Sequence, residues 1–421
     1  MPSGSPVEAF RHRNFALFIT GGLLSSVGSM MQAAVVPYVL FAATGSSAWA
    51  GFATFAQFVP SVVLGPLAGS LADRYPRRTV LLATQAASAL PAFALWGVWQ
   101  AGVAGPGLIV ACVAAGGVVG ALAIPSWQAF VSELVPRPVL LNAVTINSAQ
   151  FNAARAVGPA MAGVVLARFG PSWAFLLNGL SFFVIVGALV LVEVPPTPRA
   201  EGGKRVMGQF ADGLRYLGEQ PTMQLVISLV FLIAFFGNPV ATLLPALARR
   251  VLHVGPGAYG VLAASLGTGA VIGAVILGGL GRRWRPALVV PGAFIVYGSS
   301  LVVVGLGHSL VSAVLAMAMA GAAYLGLVSV LNTTVQLLVA EELRGRVMSV
   351  YVMAFTLGFP LGALVQGWLA DRAGVGRTIV GAALVLIVLG IALLLSPRRT
   401  AGFDLARAGS DDFVLSVEPA E

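Results

Sequence analysis

The stretch Gly69-Ser-Leu-Ala-Asp-Arg-Tyr-Pro-Arg-Arg78 ends the first long uncharged part of the chain, because residues 14–72 contain no Asp, Glu, Lys or Arg. An uncharged segment of this length has room for two membrane-spanning helices of about 20 residues each and a short hairpin. One acidic and three basic residues then mark the point where the chain leaves the apolar phase. The stretch therefore predicts a helical pair that crosses a bilayer and returns to the side where basic residues collect.

The composition of the whole chain is typical of a protein that lies largely inside a bilayer. Of its 421 residues, 58% are hydrophobic and 9% are charged, whereas a soluble domain carries roughly a quarter charged residues. The single cysteine, Cys112, excludes an intrachain disulfide. These values predict an all-α polytopic membrane protein, and they exclude a disordered chain, a coiled coil and a disulfide scaffold.

Further uncharged windows follow the first one and determine the number of spans. Together with the first window they predict twelve transmembrane helices, since the longest windows each hold two helices of about 20 residues. The windows are residues 79–132, 138–167 with Arg155 as the interruption, 169–192, 220–248, 251–281, 286–340, 347–370 and 378–397.

Basic residues are unevenly distributed between the loops on the two sides. Of the 24 basic residues, 18 fall in the N-terminus, alternate loops and the C-terminal tail, whereas five fall in the opposite loops. Because basic loops stay in the cytoplasm, both termini are predicted to be cytoplasmic, in a bacterial inner (plasma) membrane. The first apolar run is too long for the core of a cleaved signal peptide. The net charge of +9 is thus a topological signal rather than a nucleic-acid-binding surface.

The two halves of the sequence align with an offset of 209 residues, and with a further shift of five after the fourth span. Chance matching is the alternative in a chain with 51 glycines, but the helix-by-helix register favours a duplication. Such a repeat predicts two pseudo-symmetric six-helix bundles with a substrate site near the bilayer midplane. The aligned pairs include Gly28 with Gly237, Gly51 with Gly260, Glu133 with Glu342, Gly158 with Gly362 and Gly163 with Gly367.

The sequence is therefore expected to divide into four parts. Residues 1–193 and 220–395 are predicted to form the N-terminal and C-terminal bundles. Residues 194–219 read as a cytoplasmic linker with a short amphipathic helix, because prolines are followed there by alternating charged and apolar residues. Residues 396–421 are polar and are predicted to be a disordered cytoplasmic tail.

The loop after the second span resembles the loop signature of the major facilitator superfamily, in which a glycine, three residues, Asp-Arg, two residues and two basic residues follow one another. Here these are Gly69, Asp73, Arg74, Arg77 and Arg78. Gly69 permits close helix approach. The resemblance implies that Asp73, with the arginines nearby, meets a helix N-terminus of the other half and latches one conformational state. The alternative is an ordinary basic cytoplasmic loop.

Two further stretches resemble the enterobactin-exporter-like and macrolide-efflux-like branch of the drug exporters. They are Phe10-Arg-His-Arg-Asn-Phe15 before the first span and Asn152-Ala-Ala-Arg-Ala-Val-Gly-Pro159 in the fifth. The Gly158-Pro159 pair resembles the fifth-span signature of these exporters. Gly158, Pro159 and Pro239 are predicted to act as hinges, because glycine and proline let membrane helices bend.

Arg155 is a charged residue inside a predicted span. It lies 13 residues before Arg168, or roughly 20 Å along a helix, where a charge facing lipid costs about 3 kcal/mol or more. Its spacing places it on one helix face with Ser148 and Asn152. This face either lines a cavity that binds an anionic or hydrogen-bonding group or acts as a switch in gating. The alternative is that Arg155 is a structural residue satisfied by carbonyls and asparagine side chains.

Polar side chains in other spans extend this candidate cavity. Spans 1, 4, 7 and 10 line the cavity in the fold of the resembled family. Each polar side chain taken alone is more often part of an interhelical hydrogen bond than a ligand contact, but the set predicts an amphiphile-sized cavity. Its further members are Gln32, Trp127, Gln128, Asn238, Tyr324 and Asn332.

Several kinds of chemistry find no support in the sequence. No acidic residue falls deep inside a predicted span, so proton coupling would use a group at an interface, such as Asp73 or Glu133, or a group that is not a carboxylate. There is no Walker sequence, no cluster of histidines with metal-ligand spacing and no visible nucleophile–base arrangement. We therefore predict no catalytic residue, no cofactor, no metal site and no nucleic-acid partner, and the protein is not expected to be an enzyme.

These observations predict a secondary active transporter that exports an amphiphilic small molecule, such as a drug, a macrolide or a siderophore. It would work by alternating access, with H⁺ as the coupling ion, as a monomer in the lipid bilayer. Two alternatives stay open. One is an uptake symporter for an anionic nutrient, which Arg155 motivates. The other is a membrane-embedded enzyme or lipid-handling protein, which would need polar residues clustered near one interface.

Overall fold

The structure, a computed structural model, describes residues 7–194, 215–280, 285–307, 309–396, 400 and 402–404. The regular secondary structure of these residues is helical throughout, as predicted. A π-helical turn, Ile233–Gly237, lies between α8 and α9. The helices are α1 Arg13–Thr44, α2 Ser47–Val63, α3 Gly65–Arg74, α4 Arg77–Gln100, α5 Pro106–Phe130, α6 Leu140–Arg168, α7 Pro171–Leu191, α8 Pro221–Leu232, α9 Val240–Arg250, α10 Pro256–Leu280, α11 Pro286–Leu306, α12 Leu310–Leu338, α13 Glu341–Ala373 and α14 Val375–Leu394.

The number of helices that can cross a membrane is close to the number predicted. Among the described residues, ten are long and apolar enough, or eleven if the bent pair Ser47–Val63 and Leu67–Arg74 is one span. This pair bends by 55° next to a proline in the first turn of α3, where the missing N–H costs no helical hydrogen bond. Helix α6 has 29 residues but is not among the ten, and it carries Arg155 and several polar side chains.

The chain separates into two compact units, which are described one at a time. Unit 1 consists of Met1–Gly203 and Ala241–Gly267, and unit 2 consists of Lys204–Val240 and Thr268–Glu421. The boundaries fall inside the segments predicted as spans 7 and 8. The C-terminal part of span 7 and the first part of span 8 are thus grouped with the N-terminal helices.

Glycines bring helix backbones together at corresponding places in the two units. In unit 1, a Cβ atom added to Gly158 of α6 would lie 2.9 Å from the nitrogen of Met31 in α1. In unit 2, a Cβ atom added to Gly362 of α13 would lie 2.8 Å from the carbonyl carbon of Phe235 in the π-helical turn. Gly158 and Gly362 are aligned in the internal repeat, so equivalent glycines permit equivalent helix approaches.

Residues 241–267 are held to α1 and α2 inside unit 1 by polar contacts. The Tyr259 hydroxyl donates to the carbonyl oxygen of Ala34 at 2.8 Å, and Tyr259 is almost completely buried. The hydroxyls of Thr54 and Thr242 lie 3.3 Å apart, and both residues are buried. Buried hydroxyls that bond across elements in this way give the contact a defined register.

The same segment packs against α6 through glycines. A Cβ atom added to Gly163 would lie 2.5 Å from the Cα of Gly260, and one added to Gly267 would lie 2.7 Å from the Cα of Ala156. Neither site has room for a side chain unless the backbones separate. Small residues at both positions are therefore a condition for this packing.

The linker and the tail fall mostly outside the described residues. Residues 195–214 of the predicted linker and residues 405–421 of the predicted tail are among those not described. Of the remaining tail, residues 402–404 are helical and Phe403 is fully buried. The Asp404 carboxylate accepts from the Ala287 nitrogen at 3.0 Å and lies 3.4 Å from the Arg285 Nε, so this part of the tail is packed on unit 2.

The contact between Gly163 and Gly260 predicts that Gly260→Ala destabilises the protein. The added methyl group would lie 2.7 Å from the Gly163 nitrogen, and overpacking of this kind costs about 1–3 kcal/mol. We expect a melting temperature several degrees lower for the detergent-solubilised protein. Gly187→Ala in α7 is the matched control, because a methyl group there meets no atom within 4 Å and alanine favours the helix. Equal melting temperatures of the two variants would contradict the contact.

Candidate functional site

Unit 1 contains a cavity of about 370 Å³ between α1, α2, α4, α5 and α7. Pockets for drug-sized ligands have volumes of roughly 300–1,000 Å³, so the cavity is large enough for a small amphiphile. Its wall combines apolar side chains with a set of uncharged polar ones. The polar members are Ser25, Ser26, Ser29, Gln32, Gln57, Ser61, Gln85, Ser88, Gln128 and Asn178, together with the indole of Trp127.

Three of the residues predicted to line a cavity are found in this wall, namely Gln32, Trp127 and Gln128. Gln32 is held in place by Asn178, whose Nδ2 donates to the Gln32 Oε1 at 2.8 Å. The Trp127 indole N–H donates to the Oδ1 of Asn147 at 3.3 Å. The wall is thus partly pre-organised by side-chain hydrogen bonds from α6 and α7.

A second polar strip in this wall was not predicted from the sequence. Gln85 and Ser88 of α4 lie three residues apart, so both point to the same side of the helix. Gln85 is 8% exposed, and Asn178 on α7 is 2% exposed. The spacing of Gln85 and Ser88 inside an otherwise apolar span was the signal that could have identified this strip.

Helix α6 contributes Phe151 to the cavity wall, but the predicted residues Arg155, Ser148 and Asn152 of this helix do not line it. Arg155 and Ser148 are exposed and Asn152 is half-buried. The Asn152 Nδ2 donates to the Ser148 carbonyl oxygen at 3.0 Å, and the Ser148 hydroxyl donates to the Val144 carbonyl at 3.0 Å. Arg155 has no hydrogen bond or ion pair within the part of the chain that the structure describes, so the polar neighbours satisfy their own helix rather than the guanidinium.

Of the predicted residues of unit 2, Asn238 directly follows the π-helical turn and bonds to Tyr324. The Asn238 Nδ2 donates to the Tyr324 hydroxyl at 3.0 Å. Asn332 accepts from the Gln336 amide on the next turn of α12 at 2.5 Å. The Gln366 Nε2 donates to the carbonyl oxygen of Phe235 at 2.7 Å, which satisfies a backbone group in the turn. π-helical turns often occur at functional sites.

The predicted hinge residues differ in their local structure. Pro239 follows the π-helical turn directly and is buried, next to the boundary between Val240 and Ala241 that separates the units. Pro159, in contrast, lies within the continuous helix α6, and Gly158 contacts α1 as described above. These positions make Pro239 the site where a helix is actually interrupted.

The arginines of the loop signature brace the helix ends of unit 1. Arg77 forms an ion pair with Glu133, with Nη1 and Oε1 2.7 Å apart. The Arg78 guanidinium donates to the carbonyl oxygens of Leu189 and Val190 at 2.7 and 2.8 Å. These carbonyls are at the C-terminal end of α7, where they lack intrahelical donors and where a positive charge is favoured by the helix dipole.

Of the other members of the signature, Asp73 and Arg74 are exposed and Gly69 is half-buried. The guanidinium of Arg74 lies 5.8 Å from the ring centre of Tyr75. Asp73 forms no ion pair among the described residues. Gly69 makes no close helix approach in this structure, since a Cβ atom added there would meet nothing within 4 Å. Within the signature, Arg77 and Arg78 thus bond to helix ends, whereas Asp73 forms no ion pair among the described residues.

Comparisons with known proteins agree with this arrangement of helices. The profile of the family described as transmembrane secretion effector matches residues 4–411. The multidrug efflux pump Tap of Mycolicibacterium fortuitum is 25% identical over 400 residues, which cover 91% of this chain and 95% of that protein. The enterobactin exporter EntS of Citrobacter koseri is 27% identical over 340 residues, covering 76% and 78% of the two chains.

The Staphyloferrin A transporter of Staphylococcus aureus is 23% identical over 362 residues, covering 86% of this chain and 90% of that protein. Among solved structures, a bacterial homolog of the human lysosomal transporter Spinster in an inward-facing conformation has a TM-score of 0.75 at 14% identity, with 94% and 98% of the chains covered. The nucleoside transporter NupG has a TM-score of 0.74 at 12% identity, with 90% and 99% covered. At these identities the structures show a shared fold.

The ion pair between Arg77 and Glu133 predicts that Glu133→Gln destabilises unit 1. The side chains of Arg77 and Glu133 are 33% and 10% exposed, so removing the charge should cost roughly 1–2 kcal/mol, between the values for exposed and buried pairs. We expect a lower melting temperature in detergent, and Arg77→Gln should add little to it in the double variant. The control is Glu193→Gln, at an exposed glutamate after α7. Additive effects of the two substitutions would contradict the pairing.

Proposed function

Because the chain belongs to the transmembrane secretion effector family of the major facilitator superfamily, we propose that it is a secondary active exporter of amphiphilic small molecules driven by the proton-motive force. The observation that carries this proposal is the match over most of the chain to proteins named as a multidrug efflux pump and an enterobactin exporter. The protein is a multi-pass membrane transporter and not an enzyme. A drug, a macrolide or a siderophore is the proposed type of cargo.

The proposed mechanism is alternating access in a protein of twelve spans arranged as two six-helix bundles. Repeated glycine contacts in the two units support the duplicated arrangement. The contacts Thr54–Thr242 and Tyr259–Ala34 lie in the parts of the predicted spans 1, 2, 7 and 8 that the charge distribution assigns to the outer side. Under alternating access these contacts exist in one state and break in the other, and Pro239 provides the bend that this change needs.

Proton coupling is proposed to occur at the cytoplasmic helix ends. The described acidic residues lie at or near the ends of helices, so none is available at mid-membrane. Glu133 is the best-placed candidate because its side chain is 10% exposed and it forms an ion pair with Arg77. Protonation of Glu133 would release Arg77 and loosen the contact between α4 and the end of α5. Asp73 is proposed to act as the latch of one conformational state.

We further propose that both termini are cytoplasmic, that the protein lies in the bacterial inner membrane and that it functions as a monomer.

Arg155 is proposed to contact the cargo during transport. It lies on an exposed face of α6 without a protein partner among the described residues. A charged group at this depth needs water or a ligand, because lipid contact is costly. The same observation favours the second candidate function, an uptake symporter for an anionic nutrient, so the direction of transport decides between them.

Transport into everted membrane vesicles tests export. With an imposed proton gradient, we expect uptake of erythromycin or of the catecholate siderophore enterobactin, and we expect this uptake to stop when an uncoupler discharges the gradient. Arg155→Ala should lower the rate at least tenfold, since the cargo would lose a charged hydrogen-bond partner. Arg377→Ala, at an exposed arginine of α14, is the matched control. Accumulation of the cargo in right-side-out vesicles but not in everted vesicles would contradict export and support the uptake symporter.

Cysteine cross-linking tests alternating access. Thr54→Cys with Thr242→Cys, in a Cys112→Ser background, should form a disulfide under mild oxidation because the native hydroxyls are 3.3 Å apart. We expect the oxidised protein to lose transport and to regain it on reduction. The control pair is Ser309→Cys with Ser312→Cys, whose hydroxyls lie 3.0 Å apart within one helix start and need not separate. Full transport by the oxidised 54–242 pair would contradict the proposed motion.

A further inference from the structure

The wall of the cavity in unit 1 contains three glutamine amides that have no hydrogen-bond partner among the described residues, those of Gln57, Gln85 and Gln128, and Gln128 is exposed. Gln85 of α4 is 8% exposed and Gln57 of α2 is half-buried, and both line the cavity. In the same wall, Asn178 and Gln32 bond to each other. Neither the Gln57 nor the Gln85 amide is among the fully enclosed unpartnered atoms of the described residues, so both reach the open space of the cavity, where water or a ligand can satisfy them. Gln57 and Gln85 therefore mark the part of the wall that a bound molecule would complete.

The described wall of this cavity carries no Asp, Glu, Lys, Arg or His. An ion enclosed there would lose its hydration without gaining an opposite charge, which is unfavourable inside a membrane protein. Phe58, Pro91, Val113 and Phe182 supply apolar surface beside the amides. The wall thus matches a molecule with an apolar body and a few uncharged polar groups.

We propose that this cavity binds an uncharged amphiphile that carries amide, carbonyl or hydroxyl groups, and that Gln57 and Gln85 determine its specificity. A glutamine amide offers two donors and an acceptor, so it can bond to each of these groups but cannot neutralise a charge. The proposal rests on the proposed function, because it names the chemical class of the exported cargo and assigns it a site within unit 1.

Gly120 of α5 provides a way to fill the cavity without disturbing its wall. It lines the cavity, and a Cβ atom added there would meet no atom within 4 Å. A leucine at this position would extend into the space where the ligand is expected. Gly187 of α7 also has open space around an added Cβ but does not line the cavity, so it is a matched control.

Equilibrium binding to the purified full-length protein tests the proposal. Scintillation proximity would compare radiolabelled chloramphenicol, which is uncharged and carries an amide and hydroxyls, with the cation tetraphenylphosphonium and the anion 2,3-dihydroxybenzoylserine. We expect saturable binding of chloramphenicol at least tenfold tighter than that of either ion. Gln57→Leu and Gln85→Leu should each weaken it about five- to tenfold, the effect of one lost hydrogen bond, and Gly120→Leu should abolish it.

Gly187→Leu and Gln224→Leu should leave chloramphenicol binding unchanged, since the Gln224 amide is already bonded to the carbonyls of Leu217 and Gly218. Three results would overturn the proposal: no saturable binding of chloramphenicol, equally tight binding of an ion, or wild-type binding by all the cavity variants. Gel filtration of each variant checks its folding. If one glutamine variant misfolds, the other and Gly120→Leu still decide the question.

The vesicle experiment, with chloramphenicol added to its set of cargoes, separates the two proposals. Chloramphenicol binding that depends on Gln57 and Gln85, without gradient-driven uptake of any cargo, would retain this site and reject export. Gradient-driven uptake of a charged cargo without chloramphenicol binding would retain export and reject this site.

Discussion

A polar group inside a bilayer must be satisfied by the protein or by water, and this requirement accounts for where the polar side chains of this chain lie. Arg77 and Arg78 are at the ends of helices and bond to Glu133 and to the carbonyls that close α7. Inside the helix bundle, Asn178 and Gln32 satisfy each other. Polar side chains without such a protein partner, such as Gln85, face the cavity. The need to satisfy polar groups therefore accounts both for the hydrogen bonds between helices and for the position of the candidate site.

The second constraint is that helices in a membrane associate through close packing rather than through the hydrophobic effect. Gly158 and Gly362 admit a neighbouring backbone in unit 1 and unit 2, and Gly163 and Gly260 admit each other within unit 1. The helices of unit 1 can leave a cavity with a polar wall because they pack closely at these glycines, outside the cavity. The packing that makes the fold stable thus also leaves the cavity space beside Gly120.

Much of the fold could be predicted from the sequence, because charge-free windows report directly on helices that cross a bilayer. The all-helical architecture, the repeat register at Gly158 and Gly362, and part of the cavity wall follow from spacing alone. The π-helical turn before Pro239 could not be predicted from the sequence, because its backbone is stabilised by Gln366, which is 130 residues away in the chain. Gln85 was missed because the faces of α4 cannot be ranked without knowing which neighbours cover them.

The separation of charges from the cavity bears on how transport and coupling can be linked. Charged pairs such as Arg77–Glu133 lie at helix ends, where water can deliver a proton, while the wall around Gln57 and Gln85 is uncharged. If the proposed proton coupling acts at Glu133, a proton bound there does not change the charge of the proposed cargo site. It would act by releasing a helix end, which changes the balance between two packed states. Within the proposed mechanism, this division favours coupling through helix packing over direct competition between proton and cargo, and it would let an uncharged cargo be moved by a charged driving ion.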